Sequence, residues 1–343
     1  QQPHGHEITG PRCEAHRPII PSFAPPGPAW IRRSGAPCGR LVLMRASDEA
    51  TGMPLEHLLR AVRDAPEAFG ALLADADALA AAGDPLGEFV RVQCALARGG
   101  LAADERVALH GREHALLAAH EEAWLGPLRG AVDHHVWWRG LLGVDVSVAG
   151  FLRAHADLVA ARCVRFVDVS DWSAQLEPGA WRELTACADL RAVTLLGVRG
   201  RYLLDPDHAL LQDNDVCMLA ASPHVHRLVG LDLDFNPIGD AGLAAIARSP
   251  HLAGLRSLQL RGCRYGAAGL QVLANEASFV GLETLDLSYC EGLPASDPSA
   301  GAAGWRAVGN SSRLPALRQL SIAGNAIPDD IQVALARWTA SSY

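Results

Sequence analysis

Lysine is absent from the chain of 343 residues, so all 30 basic residues are arginines. Against 38 acidic residues they give a formal net charge of −8, and the arginines form no long basic run. An acidic chain of this kind is poorly suited to nonspecific binding of the phosphate backbone of nucleic acids. The composition therefore predicts that nucleic acid is not a partner.

Long apolar segments are also missing, although 49% of the residues are hydrophobic. No apolar run reaches the roughly 18 residues that a membrane-spanning helix needs. The short apolar patch RLVLM at 40–44 is not N-terminal and is too short for the core of a secretory signal. We therefore expect no association with a membrane.

The eight cysteines include no Cys-x-x-Cys pair. Two of them, Cys263 and Cys290, occupy repeat positions described below, where a small apolar side chain is suited to the core. Reduced and buried thiols are typical of cytoplasmic proteins, whereas paired cysteines are typical of small secreted domains. The cysteine pattern therefore predicts a cytoplasmic protein.

Sequence motifs of common catalytic sites are missing as well. The chain contains no Walker loop and no GxGxxG, GxSxG or HExxH motif. His4, His6, Cys13 and His16 are competent metal ligands, but their spacing matches no zinc-site pattern. We predict that the protein is not an enzyme and that it holds no cofactor and no metal.

Proline is concentrated near the N-terminus, where eight of the 21 prolines precede residue 40. Because residues 1–52 show no apolar periodicity, they are predicted to form an irregular, proline-rich arm. The chain does not begin with Met, and one hypothesis places the natural start at Met44 or Met53.

A nine-residue pattern, L-x-x-L-x-L-x-x-N, recurs seven times after residue 140. It is clearest in LVGLDLDFN (228–236). The other matches are LLGVDVSVA (141–149), VRFVDVSDW (164–172), LRAVTLLGV (190–198), LRSLQLRGC (255–263), LETLDLSYC (282–290) and LRQLSIAGN (317–325). This pattern resembles the leucine-rich repeat, and the period near 27 resembles the ribonuclease-inhibitor-like class. The resemblance implies an α/β solenoid over 131–343, with parallel strands inside and helices outside.

A helical pattern precedes the repeats, because apolar residues recur at three- and four-residue intervals from Met53 onward. The stretches GDPLGEFVRVQCALA (83–97) and EEAWLGPL (121–128) resemble the bacterial repeat-companion domain. That helical module is found ahead of leucine-rich repeats in myxobacteria and planctomycetes, and it carries no established chemistry. The resemblance departs upstream, where LADADALAAAGD replaces the family's Tyr-Ala-Asp-Trp-Leu-Glu stretch. It implies a helical cap over 53–130, and HHVWW (134–138) is expected to seal the junction with the repeats.

Within each unit, the second and third core positions point to the inner face of a short strand and the residue between them points outward. Asn236 and Asn325, or a cysteine at that position, are expected to turn inward and satisfy backbone groups at the bend. The third and sixth units are longer, which predicts insertions of 11 and 8 residues between strand and helix on one edge.

The outward positions suggest a binding surface. In chain order they are Asp145, Asp168, Thr194, Asp232, Gln259, Asp286 and Ser321. We expect the aspartates, with nearby Asp234, to form a solvent-exposed acidic strip. Aromatic residues carry much of the energy of interfaces, and the candidate anchors are Phe235, Tyr289, Trp172 and Tyr202. Paired carboxylates can hydrolyse glycosides, but an open sheet is not expected to desolvate an acid.

The predicted function is a non-enzymatic scaffold that binds a protein or peptide on the concave face and the edge loops. A basic partner is the natural complement of an acidic strip. One alternative is a regulatory or accessory subunit, or a target, of an enzyme system such as a protease or peptide-modifying enzyme. A third is an enzyme that uses a cysteine or histidine of the helical block.

Overall fold

The computed structural model describes residues 76–97, 100–138, 140–160, 164–169, 179–200, 211–290, 292 and 298–339. Residues 76–81 are helical. The helices that follow are α1 Pro85–Ala97, α2 Ala103–Leu125, α3 Val148–Ala160, α4 Ala180–Ala186, α5 Asp213–Ala221, α6 Asp240–Arg248, α7 Ala267–Glu276, α8 Pro298–Gly309 and α9 Asp329–Thr339. The strands are β1 His134–Trp138, β2 Leu141–Asp145, β3 Val164–Asp168, β4 Leu195–Gly197, β5 Gly230–Asp232, β6 Ser257–Gln259, β7 Thr284–Asp286 and β8 Gln319–Ser321.

The eight strands form one sheet in chain order. Strands β2 to β8 are parallel, while β1 is antiparallel to β2. Each of β2 to β7 is followed by a helix before the next parallel strand begins. This mixed α/β arrangement is consistent with a leucine-rich-repeat-like fold.

The core contains a ladder of aliphatic side chains at the second core position of the pattern, the fourth of its nine residues. Leu231, Leu258 and Leu285 pair in register across three adjacent strands and are at most 1% exposed. Leu243 and Ile246 lie three residues apart on α6, as predicted, and both are fully buried. No single unit buries such a ladder alone, so the units stabilise one another by stacking.

The third unit begins three residues later than predicted. The sequence placed Thr194 at the outward position, but Gly197 pairs with both Asp168 and Asp232. The pattern can start here at Leu190 or, three residues later, at Val193, and the predicted register uses the earlier start. Leu190 instead lies in the 3-10 helix Ala188–Ala192 that precedes the strand.

The corrected register also changes the insertion in the third unit. Leu196 and Leu231 are 35 residues apart, as are Leu285 and Leu320, whereas Leu231 and Leu258 are 27 apart. Both long units therefore exceed the short ones by 8 residues, and the predicted 11 for the third unit is wrong. Most of the extra residues, in 201–210, 291 and 293–297, lie outside the described residues.

Asparagine side chains close the bends after two strands, which confirms the prediction for that position. The Asn236 Nδ2 group donates to the Val198 and Leu233 carbonyls at 2.7 and 3.0 Å. Asn325 makes the same pair of contacts, at 2.8 and 3.0 Å, with Leu287 and Ile322. These amides satisfy buried carbonyls of two neighbouring units at once.

A serine after each of several helices links its unit to the preceding one. Ser222 Oγ donates to the Thr185 carbonyl, and Ser249 Oγ donates to the Ala220 carbonyl, both at 2.5 Å. Ser278 continues the series by donating to the Ser249 carbonyl at 2.6 Å. We call these residues the serine ladder.

An aspartate at the start of one helix also binds the start of the next. The Asp213 carboxylate accepts from the Gly239 and Gly242 N–H groups at 2.6 and 3.1 Å. Asp240 repeats the contact on the Gly266 and Gly269 N–H groups. Glycine is needed for this approach, because a Cβ on Gly242 would lie 2.7 Å from the Asp213 carboxylate.

The residues HHVWW, predicted to be a junction, form the extra strand β1. Trp137 of this strand packs against Phe89 of α1 and Trp124 of α2, with ring centroids 5.4 and 5.6 Å apart. Its indole N–H donates to Glu121 at 3.2 Å, which satisfies the polar end of the ring. The aromatic rings thus join the helical block to the sheet, as predicted.

Among the described helices, none combines the length and the apolar character that a membrane crossing requires.

Candidate functional site

A row of polar or small residues crosses the sheet at the last position of each parallel strand. In sheet order these residues, which we call the acidic row, are Asp145, Asp168, Gly197, Asp232, Gln259, Asp286 and Ser321. The predicted alignment of the four aspartates is therefore correct, and only the third member differs from the prediction.

The prediction that the row is solvent-exposed is wrong at its centre. Asp232 is 1% exposed and Asp168 is 6% exposed. The side chains are short, and strands about 4.8 Å apart pack each one against its neighbours. Gly197 gives Asp168 room, since a Cβ there would lie 3.1 Å from the Asp168 carboxyl carbon.

The guanidinium group of a largely buried arginine balances the negative charge of two buried carboxylates. Arg199 Nε lies 3.3 Å from Asp232, and Arg199 Nη2 donates to Asp234 at 3.3 Å. Asp234 also accepts from the Arg261 backbone N–H at 2.8 Å, and Asp232 accepts from the Asp234 N–H at 3.0 Å. Removal of one partner of a buried ion pair strongly destabilises a protein, because the other charge stays buried without compensation.

The buried carboxylates and the arginine shift one another's pKa values. Burial raises the pKa of Asp234 well above its usual value, and the charge of Asp232 adds to the rise while Arg199 opposes it. Burial lowers the pKa of Arg199, but the charges of Asp232, Asp234 and Asp168 outweigh it and the net change is upward. The fold therefore keeps Arg199 charged.

Asp145, at the β2 end of the row, is also desolvated. Burial, with a further contribution from the charge of Asp133, raises the pKa of Asp145 to about 6. The expectation that an open sheet would not desolvate an acid is thus wrong for this residue.

The raised pKa predicts that Asp145→Asn stabilises the protein at alkaline pH. Because the fold favours the protonated carboxyl group, Asp145 does not reduce the stability of the protein below about pH 4, and it reduces that stability as the pH rises through 6. We expect urea unfolding to show a gain of up to about 3 kcal/mol at pH 8 that vanishes near pH 4. The exposed Asp104→Asn is the control, and an equal gain at both pH values for Asp145→Asn would contradict the assignment.

Arginine and aromatic side chains alternate beside the row, in a group that we call the ring stack. Its members, in order, are Arg199, Phe235, Arg261 and Tyr289. The guanidinium of Arg261 lies 5.5 Å from the centre of the Phe235 ring and 4.8 Å from that of Tyr289. Cations at such distances are attracted to the face of an aromatic ring.

The two aromatic residues of the stack have strained backbones. Phe235 and Tyr289 have φ values of 58° and 56°, whereas Gly262 and Gly324 occupy the same position in the fifth and seventh units. A non-glycine residue in this region costs on the order of 1 kcal/mol, and such strain is concentrated at functional sites. Gly324 also makes room for the Tyr289 ring, since a Cβ there would lie 2.4 Å from it.

The accessible part of the site lies at β7 and β8. Tyr289 is 46% exposed, and Asp286 and Ser321 are half-buried, unlike Asp232 and Gln259 at the centre of the row. Of the predicted anchors, Phe235 and Tyr289 come together in the ring stack. Trp172 and Tyr202 lie outside the described residues.

Arg199 and Arg261 were missed by the sequence reasoning. In the corrected register both fall six residues after the first core position of their unit, where the fourth unit has Asp234. The variable position directly after the third core residue of the pattern therefore carried the signal.

Comparison with known proteins adds one match. A family model described as Leucine Rich repeat matches residues 228–247, which cover β5, the bend closed by Asn236 and all but the last residue of α6. No curated protein matches the chain. The matched segment supports a leucine-rich-repeat protein, a class whose repeats generally mediate protein–protein interaction.

Proposed function

We propose that the protein is a non-enzymatic, leucine-rich-repeat solenoid of the ribonuclease-inhibitor-like class, with its helical block as an N-terminal cap. Its role is to bind a protein or peptide partner on the concave sheet face and the adjoining edge loops. The observation that carries this proposal is Tyr289, an exposed aromatic residue held in a strained backbone conformation. Strain of this kind is maintained where the side chain direction matters.

The position of Tyr289 suits an interface anchor. The ring is fixed on one side by Arg261 and lies close to Gly324, so little conformational freedom remains to be lost on binding. Tyrosine is among the residues that dominate binding energy at protein interfaces. Asp286 and Ser321 supply polar groups next to it, as the rim of an interface does.

The charge of the site favours a basic partner. Two guanidinium groups, those of Arg199 and Arg261, lie near five carboxyl groups, four in the acidic row and one on Asp234 beside it. The carboxyl groups are those of Asp145, Asp168, Asp232, Asp234 and Asp286. A partner's arginine or lysine near Asp286 would meet both a carboxylate and the exposed Tyr289 ring, which combines ion pairing with cation–π attraction.

Buried thiols support a reducing compartment for this function. Cys263 and Cys290 lie in the core and are at most 5% exposed, and their Sγ atoms lie within hydrogen-bonding distance of backbone carbonyls. We therefore retain the cytoplasm as the proposed location.

The experiment that tests the proposal is partner capture from the native host by the immobilised full-length chain. Tyr289→Ala should reduce the retained partner about tenfold or more, because truncation of a central aromatic anchor costs at least about 2 kcal/mol of binding. Retention by the wild-type chain should also fall with added salt. The measurement is quantitative mass spectrometry of the eluted proteins.

Val333→Ala is the matched control, because Val333 is 77% exposed but lies on α9 rather than on the sheet face. Tyr289→Gly is a second variant that accepts the positive φ without strain. If both Tyr289 variants retain the same proteins as the wild type, the sheet face at β7 and β8 is not the binding site.

A further inference from the structure

We propose that His155, Cys187 and Asp189 form a binding site for a zinc ion. His155 lies on α3, Cys187 directly follows α4, and Asp189 lies in the 3-10 helix Ala188–Ala192. The site lies on the helical layer, apart from the acidic row and the ring stack, and is independent of the function proposed above.

The donor atoms of the three side chains converge. One nitrogen of His155, the Cys187 sulfur and one oxygen of Asp189 all lie within 4.8 Å of one another. His155 Nδ1 and the Asp189 carboxylate are 2.7 Å apart. Tetrahedral zinc, with bonds of about 2.0–2.3 Å, separates its ligands by roughly 3.2–3.8 Å. Small side-chain rotations therefore suffice to bring the three groups to a single ion.

The repeat architecture gives a second and independent reason to single out Cys187. It occupies the position at which the next two units carry Ser222 and Ser249 of the serine ladder, with nearly the same backbone angles. Each serine also accepts from a backbone N–H two residues later, that of His224 or His251. Cys187 and Asp189 thus stand where a Ser-Pro-His stretch occurs twice, and the exchange of serine for cysteine introduces a strong metal ligand at this position.

The His155–Asp189 ion pair alone does not account for this arrangement. That pair needs no third group, yet the thiol is placed beside it and remains half-buried, unlike the fully buried Cys263. A metal ion uses all three groups, because zinc accepts imidazole, thiolate and carboxylate ligands.

The exposure of the site suits reversible metal binding. The side chains of His155 and Asp189 are 36% and 30% exposed, which leaves an entry path and a fourth position for water. On binding, the ion displaces the thiol proton of Cys187, which is released to the buffer, and coordinates the thiolate and the neutral imidazole. Calcium and magnesium prefer oxygen ligands and are expected to bind poorly here.

The test uses the metal-stripped, reduced, full-length chain titrated with Zn²⁺ by calorimetry and with Co²⁺ by absorption spectroscopy. We expect one equivalent of metal to bind with a thiolate-to-cobalt band in the near ultraviolet. Cys187→Ser should remove that band and weaken Zn²⁺ binding at this site by at least tenfold. His155→Gln and Asp189→Asn, which alter the site without touching the thiol, should weaken binding as well.

Cys217→Ser is the matched control, because Cys217 is also a half-buried free thiol but lies on α5. Cys13→Ser separates the site from the potential ligands of the N-terminal arm. The proposal is overturned if the wild-type chain gives no thiolate band, or if the band survives Cys187→Ser and disappears in Cys13→Ser. Should Cys187→Ser fold poorly, an unchanged Zn²⁺ isotherm in His155→Gln and Asp189→Asn overturns it equally.

Discussion

Replacing Arg199 with Met should lower the free energy of unfolding by about 3–5 kcal/mol at neutral pH. The Arg199 side chain is 11% exposed, and its removal would leave the Asp232 and Asp234 carboxyl groups buried without their cation. The loss should be measured by urea unfolding, with a far-ultraviolet circular dichroism signal to check the native state.

Two further effects are expected in the Arg199→Met variant because Arg199 is the cation between Asp232 and Asp234. Burial raises the pKa of Asp234 and Arg199 opposes that rise, so removal of Arg199 should raise the pKa further and the destabilisation should shrink as the pH falls. Adding Asp234→Asn to the variant should recover part of the lost stability at neutral pH.

Arg248→Met is the control for Arg199→Met. Arg248 also binds a carboxylate, that of Glu276, through two hydrogen bonds of 2.7 and 3.1 Å, but both side chains are about half exposed. Its replacement should leave the unfolding midpoint nearly unchanged, because water replaces the lost contacts. A similar effect of the two arginine variants would mean that the Arg199 pair is not a buried ion pair.

Leu258→Asp should abolish the cooperative unfolding transition of the repeats. Leu258 is fully buried and pairs with Leu231 and Leu285 on either side, so the substitution places a charge inside the ladder. The expected penalty of several kcal/mol is comparable to the whole stability of a domain. Circular dichroism and thermal melting would report it.

Leu258→Met conserves the side-chain volume and is expected to cost less than about 1.5 kcal/mol, which makes it the matched variant. A Leu258→Asp protein with wild-type circular dichroism and melting temperature would place residue 258 outside the core and overturn the register of β6.

The leucine ladder could be predicted from the sequence because its spacing repeats. Leu231, Leu258 and Leu285 are separated by 27 residues, and each is the same residue type in the same local pattern. The role of Asn236 followed from the same repetition. The register of the third unit could not be fixed in this way, because Leu190 and Val193 both fit the first position and only the 3-10 helix distinguishes them.

The acidic row was predicted in position but not in environment. Alternation along a strand tells which face Asp232 occupies, but not whether a side chain from another unit lies against it. Arg199 is that side chain, and it lies 33 residues earlier in the sequence in a unit with a degenerate pattern. Tyr289 was singled out as a candidate anchor from its residue type, whereas its stacking on Arg261 required the three-dimensional register.

The aspartate contacts between helices give the row of units a direction. Asp213 accepts from N–H groups at the N-terminus of α6, and Asp240 of α6 accepts from those at α7, so the third unit completes the fourth and the fourth completes the fifth. A fragment that begins just before Gly239 would lose the acceptor for two backbone N–H groups, while a fragment that ends at α6 would only leave the Asp240 carboxylate to water. The two ends of the array are therefore not equivalent as places to shorten it. At these two junctions a unit acts as a template for its successor, and new units can be appended behind an existing aspartate more readily than inserted ahead of the glycines that depend on one.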